Sequence, residues 1–154
     1  MGDNSASLDM VLDCVPTAQE RPRFMHSPAG FAMAYKSRRQ KRHEAELEAQ
    51  LARYRPEKPF KGPLSLRFLA VFSVPKTRSR KQREAMLRGD ICRTSKPDLD
   101  NLAKNLKDAM TRQGFWHDDS QIVALLGFKL YTPGRGQWDV SVSGNDGRQA
   151  KGEA

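Results

Sequence analysis

The alternation from Leu64 to Val74 constrains this chain most. Leu64, Leu66, Phe68, Ala70, Phe72 and Val74 are apolar at every second position, with Ser65, Arg67, Leu69, Val71 and Ser73 between them. Successive side chains of a strand point to opposite faces, so this run predicts a strand with one face in a core. Pro75 has no amide donor and ends it. Such a strand needs sheet partners. Leu8 to Val15 alternates less cleanly and stops at Pro16, Ile122 to Tyr131 reads as a buried strand, and Trp138 to Val142 alternates again.

Helical segments fall between these strands. Ser37 to Tyr54 is rich in strong helix formers, with Ser37 placed as N-cap and with few apolar residues, which predicts a mostly solvated helix. Lys76 to Arg88 is very basic and reads as a short helix after a turn, broken at Gly89-Asp90. Leu99, Leu102, Ala103, Leu106, Ala109 and Met110 form the clearest apolar stripe, and Gly114 is placed to cap that helix. Arg21 to Gly30 reads as turn material. The order strand, helix, strand, helix, helix, strand, strand predicts a single α+β domain over residues 8–143, a mixed β-sheet flanked by helices. Flexible tails are expected over 1–7 and 144–154.

Charge narrows the partner. The chain has 27 Lys and Arg against 18 Asp and Glu, a net charge of +9. A basic balance of this size suits a polyanion, because Lys and Arg displace counterions from phosphates. Charge does not separate an enzyme from a passive binder. Cys14 and Cys92 form no metal-type spacing and are expected as reduced thiols. No apolar run approaches the length of a membrane span, and the N-terminus lacks the pattern of a signal peptide, so no membrane partner and a cytoplasmic location are expected.

The chemistry concentrates at Ser95-Lys96-Pro97-Asp98-Leu99-Asp100-Asn101. Pro97 suits the turn before a helix, and Asp98 and Asp100 then sit at the helix mouth. Carboxylates there can cap free amides and meet the helix dipole, and for a single Asp that is the simpler reading. Two features weigh against it. Asp100, Lys104, Lys107 and Asp108 share the polar side of the helix. A second pair of acids, Asp118-Asp119, precedes the next strand. Converging carboxylates repel one another unless a cation lies between them, and hard oxygen donors select Mg2+, with Mn2+ possible.

Residues 95–123, SKPDLDNLAKNLKDAMTRQGFWHDDSQIV, resemble the core of the RusA-type Holliday junction resolvases. The shared pattern is KPDxDNxxK (Lys96 to Lys104), Asp108-Ala109, a Gly-aromatic turn (Gly114 to Trp116) and DDxQV (Asp118 to Val123). Weaker similarity extends over roughly residues 8–143. The resemblance implies a small α+β homodimer that nicks opposing strands of a four-way DNA junction. It implies that Asp98, Asp100 and Asp119 hold the metal together with the adjacent acid Asp118, and that Lys104 is the essential lysine. Metal-activated water would hydrolyse a phosphodiester and leave a 5′-phosphate and a 3′-hydroxyl. Cys92 departs from the polar residue or His that this family often carries there.

Other residues divide between chemistry and structure. From the residues alone, Lys104 is equally an i,i+4 partner of Asp100; the resemblance favours catalysis. Arg78, Arg80, Lys81, Arg83 and Lys96 are expected to contact DNA phosphates. Phe115 and Trp116 fit the core better than base stacking, and His117 fits an exposed turn better than a metal site. The competing function is a non-catalytic basic DNA-binding protein, a decayed prophage resolvase. The intact acidic set argues against it, since acids repel phosphates. A nuclease of the PD-(D/E)xK type fits less well, because no strand-borne (D/E)xK follows Pro97-Asp98.

Overall fold

The computed structural model of the chain describes residues 6–145. Four strands form one sheet in the order β1-β6-β4-β5: β1 Ser7–Leu12, β4 Leu64–Ser73, β5 Ile122–Thr132 and β6 Gln137–Gly144. β4 runs antiparallel to β6 and parallel to β5, so the sheet is mixed as expected. A separate two-stranded ribbon was not expected: β2 Arg23–His26 lies in the stretch read as turn material, and β3 Ala32–Tyr35 in one to which no element was assigned. The helices are α1 Arg38–Ala52, α2 Arg80–Arg88 and α3 Leu99–Arg112. No helix of the described residues is long and apolar enough to cross a membrane.

Local chemistry sets the helix ends. Ser37 caps α1 by accepting a hydrogen bond from the Gln40 amide at 3.1 Å, and Ser79 and Gln82 form a capping box on α2. Gly89 ends α2 at φ +85, in the left-handed region that glycine enters without a Cβ penalty. Only Gln40, Leu47 and Leu51 of α1 are buried, in keeping with a mostly solvated helix.

The even-numbered residues of β4 from Leu64 to Phe72 enter the core, as the alternation requires. Leu47 and Leu51 of α1 and Leu102, Leu106, Ala109 and Met110 of α3 share that core with Trp138, Val140 and Val142. The helices therefore cover one face of the sheet. Gly127 of β5 permits close packing there, since a Cβ at that position would run into the Phe68 ring.

Two expectations change. β5 is not buried. It is an edge strand, and Val123, Leu125, Leu126, Phe128 and Leu130 are all exposed: Leu126, Phe128 and Leu130 pair with the residues of β4 that face away from the core, and on the helix side α3 covers Leu125 only in part. The tail boundaries also move by a residue. Ser7 pairs with Ser143, and Gly144 donates to the Ala6 carbonyl, so the ends of β1 and β6 brace each other. The rest of both expected tails, apart from Ala6 and Asn145, lies outside the described residues.

Candidate active site and nucleic-acid interface

The segment leading into α3 is fastened from the sheet. Lys129 of β5 donates through Nζ to the Ser95 carbonyl at 3.1 Å and the Pro97 carbonyl at 3.2 Å. Arg93 donates through Nη2 to the Lys96 carbonyl at 2.8 Å, and its guanidinium lies 4.0 Å from the Phe72 ring centroid. Two cations thus satisfy three consecutive backbone carbonyls immediately before Asp98. Charge-assisted bonds of this kind are stronger than neutral ones. The Lys96–Pro97 peptide bond is cis.

Asp98 occupies the N-cap position of α3, yet its side chain makes no capping hydrogen bond. The capping role that residue type and position suggest is therefore unused, and the carboxylate is exposed and in no ion pair among the described residues. Asp100 lies in the first turn, where the helix dipole favours an anion. Neither Asp100 nor Lys104 is in an ion pair among the described residues. Lys104 instead faces a cleft of about 540 Å³ together with Asn101, Arg21 and Tyr35.

The second acidic pair divides. Asp118 caps the short 3₁₀ turn Asp119–Gln121 by accepting from the Ser120 amide at 2.7 Å, while Gln121 closes a capping box on it. Hydrogen bonds from the side chain and amide of Ser120 hold its carboxyl below the ordinary carboxylate range. Asp119 is the freer of the two. Its Oδ2 lies 3.6 Å from Lys107 Nζ, on the same polar side of α3 as Asp100 and Lys104 but two turns beyond Asp100. These carboxylates offer only hard oxygen donors, which is chemistry suited to Mg2+ or Mn2+. Within one chain, no group of three His, Cys, Asp or Glu side chains among the described residues stands close enough to hold a metal ion.

A second cleft opens beside Asp98, lined by Arg21, Arg39, His43, Arg93 and Lys96. Lys96 was expected to face DNA; Arg21, Arg39 and Arg93 were missed. They come from segments separated by tens of residues, so no local pattern joins them. The segment 15–21 that walls this cleft is tied to α3 by Asn105 Nδ2 donating to the Thr17 carbonyl and Gln19 Nε2 donating to Asp108 Oδ2, both at 2.7 Å. Asp108 is thereby committed to structure. Arg78, Arg80, Lys81 and Arg83 are all exposed at or before α2, and Arg80 pairs with Glu84 at 3.0 Å.

Phe115 and Trp116 are buried against the helices, and Trp116 Nε1 donates to Thr111 Oγ1 at 2.7 Å, so neither ring is available to a base. His117 is exposed.

Comparison with known proteins places these features in a family. The endodeoxyribonuclease RusA family model matches residues 13–142. An uncharacterized protein, YqaN, of Bacillus subtilis (strain 168) is 33% identical over 138 residues, which cover 79% of this chain and 90% of that protein. The crossover junction endodeoxyribonuclease RusA of Lactococcus phage r1t is 34% identical over 119 residues, covering 77% of this chain and 83% of the phage protein. The matched region contains the whole of α2, α3 and both acidic pairs, and the chain belongs to the endodeoxyribonuclease RusA family.

Proposed function

We propose that this protein is a structure-selective, Mg2+-dependent DNA endonuclease that resolves four-way junctions by paired nicks in recombination and repair, acting as a homodimer in the cytoplasm. Family membership and the phage relative's name support the substrate class. The observation that carries the chemistry is the uncommitted Asp98 carboxylate at a braced helix start, beside a cleft lined by Arg21, Arg39 and Lys96.

In this reading Asp98, Asp100 and Asp119 are the acids that would hold the metal, although they do not stand together as a ready-made metal site in this structure, and Asp118 fixes the turn that presents Asp119. A bound Mg2+ or Mn2+ would supply activation of water and stabilisation of the leaving oxygen. The chain's own residues do the rest. Lys129 and Arg93 hold the backbone that carries Asp98. Lys107, 3.6 Å from Asp119, would compete with a bound cation for that carboxylate and so tune metal affinity. Lys104, in no ion pair among the described residues, faces the cleft and would meet charge that develops on the phosphate. Arg78, Arg80, Lys81, Arg83 and Lys96 hold backbone phosphates away from the reacting bond.

The test is cleavage of a synthetic four-way junction. Wild type should nick opposing strands with Mg2+ and not with EDTA. Asp98→Asn, Asp100→Asn and Asp119→Asn should each abolish cleavage yet keep or tighten junction binding, because each removes both a metal ligand and a charge that repels DNA. Junction binding without cleavage by the wild type would return the non-catalytic reading.

A further inference from the structure

The β2–β3 ribbon is unlike every other element of the fold. All eight residues of its two strands are exposed. An isolated two-stranded hairpin is marginal in water, and this one buries none of its apolar side chains in the core. Phe24 is 67% exposed and Phe31, at the tip, 71%. Met25 and Met33 sit opposite each other on one face, with Phe24 on the other. The tip is nonetheless shaped. Ser27 and Phe31 share a backbone hydrogen bond, Gly30 turns at φ +82 and donates to the Ser27 carbonyl, and the Phe31 amide donates to Ser27 Oγ.

Charge identifies what would cover it. Every charged side chain from Arg21 to Arg42 is a lysine or arginine. Glu20 and Glu44 border this run and pair with Arg23 at 3.9 Å and Lys36 at 2.8 Å, while Arg21, Arg38, Arg39 and Lys41 are in no ion pair among the described residues. The open face of the main sheet, by contrast, mixes Arg67 with Asp9 and Asp139. An apolar tip flanked by these four unpaired cations fits a polyanion with exposed ring faces. The ribbon also stands beside the candidate site, since Ala34 and Tyr35 line the same cleft as Asn101 and Lys104.

We propose that the β2–β3 ribbon is a wedge that inserts Phe31 and Phe24 among the bases of branched DNA while the flanking basic residues grip the phosphates. This rests on the junction-directed reading of the protein. Apolar side chains driven between base steps unstack them, and the cost is least where pairing is already interrupted, as at a branch point. Stacking on an aromatic ring is indifferent to sequence, which suits recognition of shape.

The test uses the full-length protein, EDTA to prevent cutting, and a four-way junction carrying 2-aminopurine at the crossover. Wild type should raise the fluorescence on binding as the base unstacks. Phe24→Ala/Phe31→Ala should reduce that rise about fivefold or more, with affinity for linear duplex changed less than about twofold. Phe31→Tyr, which keeps a ring, should retain it. Both rings are exposed, so the fold is not at stake. Wild-type protein that prefers the junction but leaves 2-aminopurine stacked, or a double variant that unstacks it fully, overturns the wedge alone. A double variant that falls from dimer to monomer also overturns it, and makes the ribbon a contact between copies. Wild-type protein that binds the junction no better than linear duplex overturns the functional reading itself.

Discussion

Lys107 Nζ stands 3.6 Å from Asp119 Oδ2, and this pair joins the middle of α3 to the turn before β5. The ammonium holds a positive charge at Asp119, with which a cation bound by that carboxylate would compete. Replacing it should therefore help the metal. Lys107→Gln is expected to lower the Mg2+ concentration for half-maximal cleavage by up to about fivefold, the range that ~0.2–1 kcal/mol for a partly exposed pair allows. A Mg2+ titration of single-turnover cleavage reads this directly. A higher Mg2+ requirement in the variant would show that Lys107 supports the site.

Lys104 and the α2 cations should differ in kind. Lys104→Ala should lower single-turnover cleavage sharply at saturating protein with little loss of junction affinity, as expected of a group that acts in the transition state. Arg80→Ala or Lys81→Ala should weaken binding to all DNA forms and flatten its salt dependence by a slope of about one per lost phosphate contact, while saturated cleavage survives. Arg80 shares its charge with Glu84, so its effect should be the smaller of the two. Rescue of Lys104→Ala by more protein would make Lys104 an ordinary phosphate contact.

The bracing of the α3 entry is also testable. Lys129→Met keeps the length of the side chain and removes both bonds to the Ser95 and Pro97 carbonyls. The loop is exposed, so the loss in unfolding free energy should be modest, about 1 kcal/mol. Cleavage should fall more than stability does, because Asp98 loses its fixed position. Chemical denaturation and single-turnover rates on the same protein separate the two. Equal losses in both would make Lys129 purely structural.

These roles show where sequence is legible. The strand from Leu64 and the helix from Leu99 are periodic, so their cores follow from spacing alone. Asp98 and Asp100 stand out because the segment around them is one contiguous pattern. The Phe115-Trp116 burial follows from their place after a helix end. The β2–β3 ribbon was not legible, because an exposed hairpin leaves no alternating core face to detect. β5 misled for the opposite reason. Its apolar run looks like a buried strand, but an edge strand can carry the same residues. Arg93 and Lys129 were missed because their partners are backbone carbonyls, which any sequence supplies.

The two cysteines should separate by pH and access. Burial pushes the Cys14 thiol up to about 11, with Glu46 and Asp13 adding to it and Arg135 opposing, whereas Cys92 is exposed. At pH 8 native protein should react with Ellman's reagent quickly at one thiol, and at the second only on unfolding. The thiol contribution to stability should be fully present below pH 9.0, the unfolded value, and be lost as pH rises through about 11. Cys14→Ala should remove that part of the alkaline loss. Two equally fast thiols in native protein would show that Cys14 is not enclosed.

The final prediction concerns the open face of the sheet. Leu126, Phe128 and Leu130 of β5 pair in register with Arg67, Leu69 and Val71 of β4. Side chains at paired positions share a face, so these residues form an apolar surface on the side away from α1 and α3. Leu126 is 52% exposed and Phe128 41%, adjacent on an edge strand whose outer backbone groups have no partner in the sheet. Apolar surface of this kind marks an interface more often than a free surface. Unlike the β2–β3 ribbon, it carries acids as well as Arg67, which disfavours DNA and suits a second copy. Sedimentation should give a mass near twice 17.4 kDa. Phe128→Asp places a charge in the middle of that face and should halve the mass, with the fold retained by circular dichroism because the position is already solvent-facing. The same variant should convert paired junction nicks into uncoupled single nicks or none, since two-fold related cuts need two copies. A Phe128→Asp protein that remains dimeric would move the interface to another surface, and a monomeric wild type on junction DNA would remove paired incision from the mechanism.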